Sequence, residues 1–474
     1  MTTNSKRIVS ALCAVLMLAT AMSGCRGSTS DDSRYSVIEV IEDYGDDTTE
    51  SNNSNTSGND NAANSTGSNA SQGNHTSGSG NNTTGEVNPA DYKGKTVQYA
   101  TWQYADGIDT DGAIAKFKKK YGINVQLVTV PQSTYVQEIT SLINAGKAPD
   151  VIRDWEYWPS FLSIAQPLEN AKINLSDPIW DQNSIKSREV NGKHYSLVSI
   201  GGLFSAPGNV VYYNKKLLNS NGIKTPEDYK NIGKWNFDAF YQIMKSVAAI
   251  GNGYYGAYID NFGGKIANSF GTDIYKYSNG KFSSGLSDPM LTTVWQMITN
   301  WSKEGLLAND RSYFIDGKAG MAITDAYGLK KTGYWKDMSF KDIGYIEMPE
   351  LNGNKPTAPV TITLWGICKG AKNPVAGGIF LRYYLDINNY DINKEFISTD
   401  AANYAVKMST NSQYSDFSRA QTGVCNVNGI DKKKYYRELF EMDPSQVSTY
   451  FQSISNEVDS YIKATQKVLD TNAQ

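Results

Sequence analysis

Residues 142–152 read LINAGKAPDVI, and this stretch indicates the fold class. It continues an apolar repeat at helical spacing that starts at Tyr135, and Gly146 is a typical stop for such a helix. The PDVI run at residues 149–152 then indicates a strand. A helix that is followed directly by a strand predicts an α/β protein.

The same alternation of strands and helices extends in both directions from this stretch. Before it, the pattern predicts a strand at 96–102, a helix at about 111–120 and a strand at 124–130. After it, the pattern predicts strands at 209–213 and 320–324, and helices at about 237–250, 291–304 and 446–469. Alternating units of this kind imply a parallel sheet with helices on both faces. There are too many units for one small sheet, so we expect two α/β lobes with a cleft between them, where small ligands usually bind.

Four sequence blocks carry a resemblance to a known family. They are LINAGKAPDV at 142–151, VVYYNKKL at 210–217 with GI at 222–223 and TP at 225–226, GKAGMAI at 317–323, and WGI at 365–367 with KGAKNP at 369–374. In this order and spacing, the blocks resemble extracellular solute-binding proteins of the maltose-binding type (family 1). These proteins are the receptors of carbohydrate ABC transporters. The resemblance covers about residues 95–385.

The resemblance implies the architecture of the folded part. It implies a two-lobe, periplasmic-binding-protein-like fold (type II) with the ligand cleft between hinged lobes. In such proteins the chain crosses between the lobes several times, so we place the first lobe at 91–207 plus 349–400. The second lobe takes 208–348 plus 401–474. The hinge strands would absorb the closure of the lobes around a ligand.

The first 24 residues predict a signal peptide. Lys6 and Arg7 provide positive charge ahead of an apolar run at 8–22, which is too short to span a bilayer comfortably. The MSGC sequence that ends at Cys25 resembles the bacterial lipobox, in which the cysteine receives a diacylglycerol before cleavage. We therefore expect a lipid-anchored protein on the extracellular face of the bacterial cell membrane.

Residues 25–90 predict a disordered tether between the lipid-modified cysteine and the folded part. An acidic stretch at 31–50 is followed by a run of Asn, Ser, Gly and Thr. With almost no large apolar side chains, this segment cannot form a core. It is expected to behave as a flexible spacer with a reach of roughly 40–50 Å.

Two predicted loops combine aromatic and acidic side chains. TWQY at 101–104 follows the first strand, and DWEYW at 154–158 follows the PDVI strand. A sugar site needs aromatic planes for C–H faces, and carboxylates hold hydroxyl groups by charge-assisted hydrogen bonds. The alternative is a surface turn in which Trp158 and Phe161 cap the sheet. The candidate ligand-binding residues in these loops are Trp102, Tyr104, Asp154, Trp155 and Glu156.

The resemblance adds candidates in the later part of the chain. Asp260 and Phe262 fall where the second lobe of the family presents an acid and aromatic side chains to sugar. Tyr327 takes the place of a stacking tryptophan, which is a departure that provides a smaller flat face. Trp365 is placed in the same cleft, with a buried core position as the alternative.

The charge and the reactive side chains exclude several classes of protein. The chain of 474 residues has 45 Lys and Arg against 48 Asp and Glu, so no basic field attracts nucleic acid. The four cysteines lack the spacing of metal sites, and Cys368 and Cys425 could pair or stay as separate buried thiols. The two histidines are His75 and His194, and His75 lies in the tether. We therefore expect no metal, no cofactor and no catalytic residue.

These observations predict a monomer that binds a carbohydrate, an oligosaccharide, outside the cell and delivers it to the permease subunits of an ABC importer. It would not be an enzyme. Two alternatives stay open: a secreted glycan-active hydrolase, which would also combine carboxylates with aromatic residues, and a surface glycan-binding or sensor protein without an importer. A solute other than sugar, such as a polyamine, is a further possibility.

Overall fold

A computed structural model of the chain describes residues 37–38, 87–102, 112–201, 203–357, 360–411 and 417–473. The predicted signal peptide, Cys25 and Tyr104 lie outside the described residues. The same holds for the predicted tether, except for residues 37–38 and 87–90.

Five strands of a first mixed sheet lie between residues 96 and 368. Their order is Asn124–Thr129, Thr96–Thr101, Val151–Asp154, Leu364–Cys368 and Ala165–Gln166. The first three strands are parallel, as predicted, and Leu364–Cys368 runs antiparallel to both of its neighbours. Helices Ala113–Tyr121, Tyr135–Asn144 and Pro374–Tyr384 accompany this sheet. Their apolar side chains pack against it, for example Phe380 against Tyr99 at a ring distance of 5.8 Å.

The PDVI stretch joins three parts of this first sheet through one carboxylate. Asp150 is buried, and its two oxygens accept hydrogen bonds from the backbone N–H groups of Gln98 (2.9 Å) and Asn373 (2.6 Å). Burial raises the pKa of Asp150, although these hydrogen bonds act in the opposite direction. Asp150 therefore connects its own strand to Thr96–Thr101 and to the start of helix Pro374–Tyr384.

A second mixed sheet is built from strands in the middle of the chain. Their order is Leu307–Ala308, Tyr255–Ile259, Ala319–Asp325, Asn209–Asn214 and Ile343–Glu347. Every residue of Ala319–Asp325 and Asn209–Asn214 is buried, as expected for strands covered on both faces. The accompanying helices include Lys215–Ser220, Pro226–Asn231, Phe237–Ala248, Gly264–Ser269, Pro289–Lys303 and Ser312–Ile315.

The prediction of parallel strands is wrong for Asn209–Asn214. This strand runs antiparallel to both of its neighbours, whereas Tyr255–Ile259 is parallel to both of its own. Parallel neighbours require a crossover connection, usually a helix. Asn209–Asn214 instead follows the extended segment Ser205–Pro207 after a single residue, so no crossover fixes its direction.

The two sheets are joined by a short antiparallel ribbon. Ser205–Pro207 pairs with Val360–Ile362, in register from Ser205 opposite Ile362 to Pro207 opposite Val360. Ser205–Pro207 leads into the second sheet, and Val360–Ile362 leads into strand Leu364–Cys368 of the first. The chain therefore passes between the sheets twice at the same place.

The C-terminal part of the described chain is helical. Its helices are Ile392–Glu395, Thr399–Asn411, Phe417–Asn428, Lys434–Glu441 and Val447–Asn472. The predicted helix at 446–469 is confirmed. Gln466 in the last helix accepts a hydrogen bond from the backbone of Phe282 (3.0 Å), which lies in the hairpin formed by Tyr275–Ser278 and Lys281–Ser284.

Cys368 and Cys425 are both buried, free thiols in the structure. Burial raises the pKa of each thiol, which keeps both in the neutral form at physiological pH. No helix within the described ranges combines the length and the apolar character that crossing a membrane requires.

Asp273 is a buried carboxyl group that holds a C-terminal helix against the second half of the chain. It accepts hydrogen bonds from the Tyr436 hydroxyl (2.6 Å), the Asn268 amide (2.7 Å) and the backbone N–H of Ile274 (2.7 Å). Burial raises the pKa of Asp273 to about 6 in spite of these donors. The group is therefore partly protonated in the folded protein at a pH where it is ionised in the unfolded chain.

This raised pKa predicts a pH dependence of stability. Since the folded state binds the proton more tightly, the contribution of Asp273 is fully present below pH 4 and is lost as the pH rises through about 6. The loss is on the order of 3 kcal/mol, because the pKa of Asp273 is raised from 3.8 to about 6 on folding. We expect urea unfolding between pH 4 and 7 to show a flatter profile for Asp273→Asn than for the wild type. Identical profiles for the two proteins would contradict this prediction.

Candidate functional site

The loop at 154–158 is held at both ends by one buried arginine. Asp154, the last residue of strand Val151–Asp154, lies 3.3 Å from Arg188 Nε, and neither side chain is exposed to solvent. The Arg188 guanidinium also lies 4.6 Å from the ring centre of Trp158 at the other end of the loop. Asp154 therefore positions the loop through Arg188, and it does not face solvent in this structure.

Trp155 and Glu156 lie between these two ends and are half-buried. The Trp155 ring packs edge-on to Trp102 at 6.3 Å. Glu156 forms an ion pair with Lys432, and its backbone carbonyl accepts a hydrogen bond from the Asn426 amide (2.9 Å). The loop of the first sheet therefore contacts the C-terminal helices directly.

A polar cluster lies at the ends of two strands of the second sheet. Lys265 is 5% exposed and its Nζ lies 3.3 Å from Asp325 Oδ2. Burial alone would lower the pKa of Lys265, but the negative charges of Asp325, Asp260 and Glu156 outweigh it and raise the pKa. Asp325 pairs with Asn209 and Asp154 pairs with Leu364, so both strand ends lie next to the ribbon that joins the two sheets.

Two tyrosines border the same cluster. The Tyr334 hydroxyl donates to Asp325 Oδ2 (3.1 Å), and the Tyr327 ring packs edge-on to Tyr334 at 5.1 Å. The Tyr327 hydroxyl donates to the backbone carbonyl of Thr332 (3.0 Å), and its side chain is half-buried. Tyr327 thus has a fixed ring that is partly open to solvent.

The predicted segment around Asp260 has an unusual backbone. Asn261 and Phe262 both have a φ of 54°, in the left-handed region that a bulky residue such as phenylalanine rarely adopts. Asp260 accepts hydrogen bonds from the Tyr258 hydroxyl (3.1 Å) and from the backbone of Asn261 (3.1 Å). The half-buried Phe262 ring packs against Phe440 at 5.5 Å. Strained backbone of this kind is concentrated at ligand sites, which makes the segment a candidate for function.

Trp102 and Trp365 are mostly enclosed in the first half of the molecule. Trp102 is 8% exposed and packs edge-on to Tyr135 at 5.9 Å. Trp365 is 2% exposed, and its Nε1 donates to the Tyr99 hydroxyl (2.8 Å). The structure therefore places Trp365 in the core, the position that the sequence left open as the alternative.

The contacts described above also involve polar residues that the sequence analysis missed. They are Arg153, Arg188, Lys265, Asp325, Tyr334 and Lys432. The strand pattern of the sequence could have indicated Arg153 and Asp325, because each lies at the end of a predicted strand. Arg188 and Lys432 were not, since they meet residues 154–158 through contacts distant in sequence.

No group of three His, Cys, Asp or Glu side chains in the part of the chain that the structure covers could hold a metal ion. His194 lies on the short hairpin strand Lys193–His194, where its Nδ1 is 2.8 Å from a Glu169 oxygen. It is therefore paired with a surface carboxylate.

Because Arg188 holds the 154–158 loop through Asp154, we expect the removal of two neighbouring carboxylates to lower the unfolding free energy by different amounts. Asp154→Ala removes the buried carboxylate of an ion pair, which costs about 3–5 kcal/mol of unfolding free energy in comparable cases. Glu156→Ala breaks a pair that is about one third exposed, and such pairs contribute roughly 0–1 kcal/mol. Urea unfolding of the two variants measures the difference. Equal losses of stability would show that Arg188 does not hold the loop in this way.

Comparison with solved structures identifies the fold. An extracellular solute-binding protein from Staphylococcus aureus in complex with maltose has a TM-score of 0.59 and 16% identity, covering 78% of this chain and 98% of that one. UgpB from Mycobacterium tuberculosis with glycerophosphocholine has a TM-score of 0.59 and 15% identity, covering 77% and 98%. The GacH receptor of Streptomyces glaucescens, solved with acarbose, has a TM-score of 0.57 and 15% identity over the same shares. These likenesses confirm the expected two-lobe α/β fold.

Comparison of sequences identifies the family. Two Brucella abortus proteins and one from Brucella suis, each named as a binding protein, are 25% identical to this chain over 225 residues. The match covers 43% of this chain, and the chain spans about half the length of these curated relatives. The family model for bacterial extracellular solute-binding proteins matches residues 112–399, which is more than half of the chain. The chain therefore belongs to the family of bacterial extracellular solute-binding proteins.

Proposed function

We propose that this protein binds a carbohydrate, an oligosaccharide, outside the cell membrane and delivers it to the permease subunits of an ABC importer. The observation that carries the proposal is that the 154–158 loop of the first sheet and the Lys265–Asp325 cluster of the second both begin where the ribbon joins the sheets: Leu364 pairs with Asp154, and Asn209 pairs with Asp325. A ligand between them would contact groups from both halves of the protein. Binding would therefore be coupled to closure of the cleft.

The side chains in this region suit a sugar. Trp155, Tyr327 and Phe262 are half-buried aromatic residues that offer faces or edges to the C–H surface of a pyranose ring. Glu156 and Asp260 are half-buried carboxylates that can accept hydrogen bonds from hydroxyl groups. Among the solved structures with a similar fold, three were solved with acarbose, maltose or α-D-tagatose, which supports the choice of a sugar, and one was solved with glycerophosphocholine.

The ribbon of Ser205–Pro207 and Val360–Ile362 is the proposed hinge. It joins the two sheets by two extended strands, and extended segments at element ends can absorb the φ and ψ changes of domain closure. We keep the lobes at 91–207 plus 349–400 and 208–348 plus 401–474. The described C-terminal helices contact the 154–158 loop and also the hairpin of Tyr275–Ser278 and Lys281–Ser284, so ligand binding at the loop would affect their position.

We predict that a double variant without the aromatic side chains of Trp155 and Tyr327 no longer binds a glycan. In thermal unfolding against an oligosaccharide panel, a binding glycan at hundredfold excess over its Kd should stabilise the wild type by about 2.7 kcal/mol. Trp155→Ala combined with Tyr327→Ala removes both aromatic planes and should abolish this stabilisation. Tyr241→Ala is the matched control, because Tyr241 lies on helix Phe237–Ala248 and bonds to Glu304.

Undiminished glycan affinity in the double variant would refute this site. The same incubations also separate a receptor from a hydrolase, the main rival. Binding with intact glycan recovered afterwards supports a receptor, whereas release of shorter sugars would support the enzyme.

We also propose that Cys25 carries a lipid that anchors the protein to the outer face of the cell membrane. The support is the MSGC sequence at its predicted signal-peptide end and the long tether that follows. The family is extracellular by description, which agrees with export. Residues 25–90 would then hold the cleft away from the membrane surface.

If Cys25 carries the lipid anchor, replacing this residue should release the protein from the membrane. Cys25→Ala removes the sulfur that would be acylated, so the exported protein should be found in the medium or the soluble fraction. The wild type should stay with the membrane fraction and incorporate labelled fatty acid. Membrane retention of Cys25→Ala to the same extent as the wild type would contradict lipidation at this residue.

A further inference from the structure

Arg153 is a buried cation at the rim of the first sheet. It lies in strand Val151–Asp154, one residue before the 154–158 loop, and is 6% exposed. Its guanidinium carbon lies 4.1 Å from the ring centre of Trp102 and 5.2 Å from that of Trp365. The two indoles therefore enclose the charged group.

The hydrogen bonds of this guanidinium are incomplete. Nη1 donates to Thr101 Oγ1 at 3.2 Å. Nε is sealed from solvent and has no acceptor. No carboxylate among the residues that the structure covers forms an ion pair with Arg153. An acceptor for Nε must therefore be a group that is enclosed together with it.

Three other buried or half-buried cations of this region each pair with a carboxylate. Arg188 pairs with Asp154, Lys265 with Asp325, and Lys432 with Glu156. Arg153 differs from all three. Among the described residues, Arg153 has no protein counter-charge.

Without a ligand, this arrangement lowers the free energy of unfolding of the protein. Burying a charge without a partner is strongly unfavourable, and cation–π contacts with two tryptophans recover only part of that cost. The guanidinium edge that carries Nε is also the edge that binds a planar oxyanion side-on through two parallel hydrogen bonds. An anionic group of a ligand would supply both the missing charge and the missing acceptor.

We infer that the ligand of this cleft carries an oxyanion, a carboxylate or a phosphate, which pairs with Arg153. The inference rests on the proposed function and narrows it from an oligosaccharide to an acidic saccharide. The sugar ring would lie beside Trp155, which is next to Trp102 and therefore near Arg153. Specificity over neutral sugars follows, because a neutral ligand leaves the buried guanidinium without its acceptor.

The test is isothermal titration calorimetry of the purified protein with three groups of probes. They are neutral maltose oligosaccharides, galacturonate oligosaccharides, which carry carboxylates, and glucose 1-phosphate, which carries a phosphate. We expect one acidic group to bind more tightly than maltose oligosaccharides, with an affinity that added salt weakens. Arg153→Gln should weaken acidic binding by about 10- to 100-fold, as expected for a hydrogen bond to a charged group. Arg153→Lys keeps the charge without the planar edge, so its affinity for the acidic probe should lie between those of the wild type and Arg153→Gln.

The control is Arg382→Gln, which removes one positive charge from a surface pair with Asp177 and Asp386. Its affinity for the acidic probe should equal that of the wild type, and circular dichroism checks that all variants are folded. Tighter binding of galacturonates identifies a carboxylate, and tighter binding of glucose 1-phosphate identifies a phosphate.

Two results would overturn the inference in distinguishable ways. Tight binding of neutral oligosaccharides, with no preference for either acid and no effect of Arg153→Gln, refutes the anionic ligand but leaves the proposed function intact. Absence of binding by any saccharide refutes the proposed function, and the inference fails with it.

Discussion

The contact of Arg188 with both ends of the 154–158 loop is the interaction on which the rest of the site depends. A strand end would normally continue into a mobile loop, but here a single buried guanidinium pairs with Asp154 and packs on Trp158. Both partners are enclosed, so the electrostatic attraction is only weakly screened by water. The loop between them therefore presents Trp155 and Glu156 in one arrangement. A preorganised loop reduces the entropy that ligand binding must overcome.

The position of this loop follows from the way in which the chain connects the sheets. Strands of the first sheet end at the side where the ribbon of Ser205–Pro207 and Val360–Ile362 leads to the second sheet. Lys265, Asp325 and Tyr334 lie at the corresponding ends of the second sheet. Ligands of α/β proteins bind beyond the carboxyl ends of strands. With two sheets joined by a narrow ribbon, the same region becomes a cleft that can open and close.

Much of the fold could be predicted from the sequence because it depends on local patterns. The helix that ends before Gly146 and the strand that follows it are encoded by apolar spacing, a glycine and a proline within a dozen residues. Strand direction could not be predicted in the same way. Asn209–Asn214 has the composition of a buried strand in either direction, and its antiparallel partners Ala319–Asp325 and Ile343–Glu347 lie far later in the chain.

The site was predicted less completely, for a related reason. The sequence identified DWEYW as a candidate loop, but not that Asp154 would be neutralised by an arginine 34 residues away. It left Trp365 open between the cleft and the core, and the structure shows its indole N–H bonded to Tyr99 inside the core. Whether a tryptophan or a carboxylate faces a ligand or a buried partner depends on contacts between distant segments. Local spacing carries no information about such contacts.

Hydrogen–deuterium exchange with and without a stabilising oligosaccharide tests the central claim most directly. If the ligand lies between the two sheets, exchange should slow both at residues 153–158 and at residues 258–265 and 325–334. Slowing confined to one of the two sheets, or located away from all these segments, would contradict a ligand site formed by both halves of the protein.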